Sequence, residues 1–296
     1  MKSLYRYSFF FYLSIVLFSS CQEKEQTDHR KYLSVTDDVG RAVDLPLHPQ
    51  KVMALAPSMT EYLALICKKE QLVGRTQNCD FPTWVKGLPE VINYPHLDLE
   101  LILKLRPDLI VTQKGMTPES DILKLAEFGI PTYVFCVDSL DKVNKSAGRI
   151  GEITNNKLRG NFVEDSLRNS KNDIVSEGNV NHTAIGLTSI SPFFAFGKGS
   201  LVDEMMREVG MINLIDSSFI SAYPQIDEEY LLRKNPDIIF VTSTITKEEF
   251  FEKYPNLKKL NVYENNAFYR VESNYISRQG PRALMGLSEL QKMTIK

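Results

Sequence analysis

The chain has 296 residues, of which 43% are hydrophobic and 24% charged, and its net charge is −2 at pH 7. That length leaves room for two domains with cores of their own, and the near-neutral balance excludes the global basicity of a nucleic-acid binder.

At the N-terminus Lys2 and Arg6 precede an apolar run, Ser8 to Phe18, that is too short to span a bilayer comfortably and ends at Ser19-Ser20-Cys21. This pattern is an export signal. The segment LFSSC resembles a bacterial lipoprotein signal, which implies a signal peptide over 1–21, a lipidated Cys21 and a polar tether over 22–32. The protein is then expected in the cell envelope, exported and lipid-anchored, facing the periplasm. Of the other cysteines, Cys67 and Cys136 sit among apolar residues and read as packed thiols, whereas Cys79 falls in a polar loop; three thiols cannot all pair internally.

Residues 33–138 read as one α/β lobe. A hairpin is expected over Leu33 to Leu45, with Gly40 at its turn, followed by a strand at Val52 to Leu55. Ser58 and Glu61 have capping-box spacing ahead of a helix whose apolar face is Met59, Tyr62, Leu63 and Ile66. A strand at Leu72 to Arg75 leads into the loop Thr76 to Pro82. Further on, Thr117-Pro118 opens a helix that Gly129 stops before a strand at Thr132 to Val137.

Within that lobe, YPHLDLELILKLRPDLIV (Tyr94 to Val111) returns without a gap as YPQIDEEYLLRKNPDIIF (Tyr223 to Phe240). Each copy offers an N-cap Asp (Asp98, Asp227), a Glu two residues later (Glu100, Glu229), and a Pro-Asp pair before a buried strand. The spacing of the copies is that of a small domain and predicts two similar lobes. A first-turn carboxylate gains about 0.3–1 kcal/mol from the helix dipole. That accounts for each Glu singly but not for their matching positions.

Residues 139–177 lack proline and carry apolar residues at near-helical intervals, which predicts a long connecting helix despite Gly148, Gly151 and Gly160. The second lobe, 178–296, is expected to open with a strand at Thr183 to Thr188 and a loop Ser189 to Gly199. A helix with the buried stripe Leu201, Val202, Met205, Met206 and Val209 follows, then the second repeat copy, a capping box Thr246 to Glu249, strands near Val262 and Tyr269, and a helix after Pro281. The fold class is thus α/β, with two similar lobes, each a largely parallel sheet flanked by helices, joined by a long connecting helix.

No nucleophile elbow, phosphate loop, zinc-protease motif or dinucleotide fingerprint occurs, and His29, His48, His96 and His182 are scattered. No catalyst and no metal site is nominated. Loops at the expected strand ends instead supply amides and aromatics: Asn78, Phe81, Tyr94, Gln113, Phe193-Phe194, Tyr223, Asn274-Tyr275 and Arg278. In α/β sheets ligands sit beyond the carboxyl ends of strands, so two facing lobes with such loops predict a ligand cleft.

Taken together, APSMTE, VGRTQNCDFP, LDLELILKLRPDLIV, ISPFFAFGKGSLVDEMMREVG, YPQIDEEYLL and SRQGPR resemble the helical-backbone (class III) substrate-binding proteins of ABC importers for cobalamin, ferric siderophores and haem. The vitamin B12-binding members are the most similar. That resemblance implies a non-enzymatic receptor that captures cobalamin or another corrinoid between its lobes, with no cofactor of its own. It places Tyr94, Tyr223 and Phe194 at aromatic corrinoid contacts and Asn274 and Arg278 at polar ones, while Asn78 and Gln113 depart from it, standing where an aromatic is found in a well-known member. It gives Glu100 and Glu229 the role of engaging arginines on the permease dimer, which works with its ATPase subunits. The same-fold alternative is ferric-siderophore or haem capture, for which Tyr94 and His96 are candidate axial ligands.

Overall fold

The computed structural model describes residues 32–93, 95–175 and 181–295. The expected signal peptide, Cys21 and Tyr94 lie outside the described residues, as does the tether except for Tyr32. The described residues open with the expected hairpin, β1 (Tyr32–Thr36) antiparallel to β2 (Ala42–Pro46). Its turn closes on Asp37, whose carboxylate accepts the N–H groups of Val39 and Arg41 and pairs with the Arg41 guanidinium at 2.6 Å. Gly40, at φ +87°, takes the left-handed conformation that the turn needs.

The first lobe then runs β3 (Val52–Ala54), α1 (Pro57–Ile66), β4 (Leu72–Thr76), β5 (Glu90–Val91), α2 (Leu99–Leu105), β6 (Leu109–Gln113), α3 (Glu119–Glu127) and β7 (Thr132–Phe135). Its sheet is parallel throughout, in the order β5-β4-β3-β6-β7. Strands β3, β6 and β7 are buried at every position, which is why they read as apolar runs rather than as alternations. Alternate residues serve different cores: Val52, Ala54, Leu109 and Val111 pack on one face, Met53, Leu55 and Ile110 on the other.

Where one connecting helix over 139–177 is expected, the chain forms two, α4 (Leu140–Ile153) and α5 (Lys157–Val175), with Asn155 at φ +58° between them. The glycines explain the departure. A Cβ on Gly151 would lie 2.6 Å from the Gly160 Cα, so the two helices cross backbone to backbone there and fold back on each other instead of continuing as a rod.

The second lobe comprises β8 (His182–Ile190), β9 (Phe193–Ala195), α6 (Leu201–Glu208), β10 (Met211–Asn213), β11 (Gln225–Ile226), α7 (Glu228–Lys234), β12 (Ile238–Val241), α8 (Lys247–Lys253), α9 (Asn261–Glu264), β13 (Phe268–Arg270), α10 (Ser273–Ile276) and α11 (Ala283–Thr294). Strands β10, β12 and β13 continue the parallel plan around β8, while β9 and β11 add an antiparallel edge. Val262, expected in a strand, lies in the short helix α9, and the strand follows at Phe268. The capping box of Thr246 and Glu249 forms on α8 as its spacing predicts.

The repeat is a structural one. Asp98 and Asp227 each accept the N–H three residues on, from Leu101 at 3.0 Å and Tyr230 at 2.7 Å. Both seven-residue helices end on a left-handed residue, Arg106 and Asn235. The aspartates after Pro107 and Pro236 then pin the neighbouring strand's entry. Asp108 accepts the N–H groups of Gln50 and Lys51, and Asp237 accepts the N–H and hydroxyl of Thr183. Strands β6 and β12 consequently occupy equivalent places, each parallel to the first strand of its sheet.

One apolar core crosses both lobes. It contains Tyr62, Val111 and Tyr133 of the first, Leu140, Val143, Ile150 and Val163 of the connecting pair, and Ala184, Met205, Phe240 and Leu287 of the second. The second lobe also caps the connection, since Glu204 on α6 accepts the N–H of Leu140 at 2.9 Å. A core of close-packed side chains resists continuous deformation, so this one opposes wide opening of the lobes.

Candidate binding cleft

At the carboxyl ends of β4 and β6 the first lobe carries a cleft of about 910 Å³. Gln77, Asn78, Asn93 and Gln113 give it an amide lining, Val39, Pro95, Met116, Pro118 and Ile122 an apolar one, and Lys114, Arg41 and Glu119 its charged groups. Asn78 is exposed on the loop after β4, and Gln113 is buried at the end of β6. The remaining candidates of the second lobe are not among the residues lining it. Phe194 is half-buried in β9, in register with Gln225. Tyr223 is half exposed and meets Phe196 edge-on at 6.1 Å. Asn274 donates to Glu272 at 3.0 Å, within its own turn.

Arg278 does something the sequence did not announce. Its guanidinium reaches across to the first lobe, pairing with Asp80 at 2.7 Å and Glu61 at 3.3 Å and donating to the Asn78 carbonyl at 3.1 Å. Arg282 joins it, 2.6 Å from the same Glu61 carboxylate and stacked over Phe81 at 4.4 Å. Glu61 is only 1% exposed. A buried carboxylate persists where charge and hydrogen bonds replace its water, and here both arginines come from the opposite lobe. Gln113 extends the seam, accepting from the Ser58 hydroxyl and donating to Gln279. Gly280 lies against Ser58, whose Cβ a side chain there would meet at 2.9 Å.

The capping box read from Ser58 and Glu61 therefore does not form. Pro57 starts α1 without a side-chain cap, and its fixed φ and missing N–H suit that position. Both candidate capping side chains are committed to the seam instead. The motifs APSMTE, VGRTQNCDFP and SRQGPR, far apart in sequence, meet there. Glu61, Asp80, Gln279 and Arg282 were not among the candidates, although each lies inside one of those motifs.

The electrostatics follow from this packing. Partial burial works against ionisation of Asp80, but the hydrogen bond and charge of Arg278 outweigh it and hold the carboxyl below its ordinary value. Burial, with the Glu61 charge next, pushes the Tyr62 hydroxyl well up, in keeping with its role as a donor to the Val143 carbonyl at 2.6 Å. Burial also pushes the Cys67 thiol up to about 11. Cys79, in a loop that reads as polar, is the buried cysteine, with the hydroxyls of Thr60 and Thr76 at 2.9 and 3.1 Å from its sulfur.

Glu100 and Glu229 occupy matching places in the exposed first turns of α2 and α7. Acidic helix starts are thus duplicated on two α/β lobes joined by a helical pair, with a cleft at the strand ends of the first. A family model for periplasmic binding proteins matches residues 52–275.

The chain belongs to the periplasmic binding protein family. Members of this family are substrate-binding proteins, and the receptor described here is one of them, not an enzyme. An ABC transporter substrate-binding lipoprotein of Bacillus subtilis, YvrC, is 25% identical over 267 residues, covering 87% of this chain and 84% of its own. The vitamin B12-binding protein of Vibrio parahaemolyticus is 22% identical over 244 residues, 81% of this chain and 88% of its own. Among solved structures, the vitamin B12-binding protein BtuF of Vibrio cholerae superposes with a TM-score of 0.75 at 22% identity, over 84% of this chain and 98% of that one. The haem-binding protein HutB of the same organism gives 0.72 at 17%, over 82% and 98%. The two-lobed fold is thus shared by proteins named for different metal chelates.

Proposed function

We propose that this receptor captures a corrinoid, cobalamin or a close relative, and delivers it to the permease dimer of an ABC importer while held to the membrane by a lipid on Cys21. The observation that carries the cargo reading is the lining of the cleft. Asn78, Asn93 and Gln77 present neutral amides, the neighbouring arginines are already neutralised, Arg41 by Asp37 and Arg278 by Asp80 and Glu61, and the remaining charges of the lining are one of each sign, Lys114 and Glu119. A corrinoid is bordered by carboxamide side chains, which such amides match donor to acceptor. Carboxylate-bearing haem and anionic ferric siderophores call for unpaired cations. The vitamin B12-binding relatives support the same reading. Tyr94, Phe194 and Tyr223 supply aromatic faces to the ring system, and Asn274 and Arg278 border it.

Glu100 and Glu229 serve delivery. Each stands exposed at the same place in a repeated helix, so the pair presents a pseudo-two-fold pattern of charge to a two-fold permease.

The test is a calorimetric and absorbance titration of the protein from Gln22 onward with cyanocobalamin, with haemin and a ferric siderophore in parallel. Saturable one-to-one binding of cyanocobalamin, weakened in Tyr94→Ala and Tyr223→Ala, is expected. Binding of haemin or siderophore alone overturns the cargo. For delivery, Glu100→Ala with Glu229→Ala leaves the corrinoid affinity intact and abolishes uptake into cells; unchanged uptake removes the docking role.

A further inference from the structure

Besides an acidic helix start, each copy of the repeat has an isoleucine left open to solvent beside it. In the first lobe Ile92 is 50% exposed, and its carbonyl accepts the N–H of Asp98, the cap of the helix that carries Glu100. In the second lobe the loop before the repeat is fastened to α7. The Tyr230 hydroxyl donates to the Leu214 carbonyl and accepts the Asp216 N–H, and Phe219 lies edge-on to the Tyr230 ring at 5.8 Å. The next residue, Ile220, is fully exposed at 105%. A single exposed isoleucine is unremarkable on any protein. Two of them, Ile92 bonded through its carbonyl to the cap of the first repeated helix and Ile220 next in chain to the Phe219 that packs on the second, one position apart in the ungapped alignment of the copies, form a pattern.

These residues border the acidic helix ends and not the cleft. The cleft is lined by Asn93 and Pro95 but not by Ile92. The recess of about 390 Å³ that includes Glu229 is lined also by Phe219, Ile226, Asp227, Tyr230 and Arg233, with neither Phe194 nor Tyr223. We propose that Ile92 and Ile220, the latter backed by Phe219, are the apolar anchors of the face that docks on the two-fold permease, each entering an apolar recess next to the basic group that meets Glu100 or Glu229. The inference rests on the docking reading of those two glutamates. Its physical basis is that anchors near the centre of a contact exclude water, and a charge pair beside excluded water is stronger than one in the open.

The test begins in cells, with the full lipidated chain carrying benzoylphenylalanine at Ile92, at Ile220, or at the exposed Leu158 of α5 as a control. Adducts from the first two positions to one multi-spanning membrane protein, with none from Leu158, are expected. No adduct from either position, adducts only to soluble proteins, or an equal yield from Leu158 overturns the proposal. The captured membrane protein is then placed in nanodiscs and binding of Ile92→Ser, Ile220→Ser and the double variant is measured, with thermal midpoints as a fold check. Each single change is expected to weaken docking about tenfold or more, from the apolar area withdrawn, with cyanocobalamin affinity unchanged. If the serine variants dock normally while Glu100→Lys with Glu229→Lys does not, the isoleucines are not anchors and the docking reading stands. If neither set affects docking, the docking reading itself fails. If the serine variants lose cyanocobalamin affinity and dock normally, the isoleucines belong to the cargo site and the proposal is overturned.

Discussion

The two lobes contain the same eighteen-residue unit and reach their facing surfaces by different routes. In the first lobe β3 is three residues long and turns at once into α1, so the first turn of a helix, with Ser58 and Glu61, stands at the seam. In the second, β8 runs for nine residues and folds back as β9, so the same level of the lobe is made by a hairpin whose Phe193 and Phe194 pair with β11. The first lobe accordingly carries amides and charge at this level, and the hairpin of the second carries aromatics, Phe193 buried in that lobe's own core and Phe194 half-buried. The second lobe's side of the seam comes instead from Arg278, Gln279 and Arg282. Duplication fixed the scaffold and the acidic helix starts, while the strand that opens each sheet decided whether a helix start or a hairpin follows it.

The seam is where this difference has the largest consequence. Replacing Glu61 by Ala leaves Arg278 and Arg282 without their shared buried counter-charge, and a loss of about 3–5 kcal/mol in unfolding free energy is expected by denaturant titration. An Ala variant as stable as the parent shows that the lobes are held by the apolar core alone. Next comes the connecting pair. Gly151→Ala forces two backbones apart and costs about 1–3 kcal/mol. Gly148→Ala, which has only the flexible Glu164 carboxylate to displace, is neutral or gains up to about 1 kcal/mol from helix propensity. Equal thermal midpoints for the two variants contradict the close crossing.

The equivalence of the repeats is sharpened by their caps: Asp98→Ala and Asp227→Ala each lose about 1 kcal/mol, and a several-fold disparity between them in denaturant titration breaks the comparison. The smallest effect concerns pH. Because Arg278 holds the Asp80 carboxyl below its ordinary value of 3.8, the stability this group contributes is present above that pH and is lost as the pH falls through the lower folded value. The difference in thermal midpoint between the parent and Asp80→Asn is expected at pH 7 and shrinks progressively as the pH is taken below 3.8; a difference that stays undiminished in acid removes the ion pair as its source.

Much of this was legible in the chain. The apolar runs that became β3, β6 and β12, the capping aspartates, the Thr246 to Glu249 box and the two-lobed plan all depend on contacts within a few residues or on strict repetition, which a linear pattern records. The misreadings share a cause. Ser58 and Glu61 have the spacing of a cap but are drawn to partners more than fifty residues away, and Gly151 and Gly160 look like weak points in one helix because the partner that needs them is the other helix.

By itself the sequence determined the fold class, the duplicated unit and the placement of Glu100 and Glu229 at two helix starts, because periodicity and capping are local physics. Only the tertiary structure decided that Arg278 spans the lobes, and that the connecting segment doubles back. The compensation of a buried charge and the close approach of two backbones are settled by whatever arrives from elsewhere in the chain.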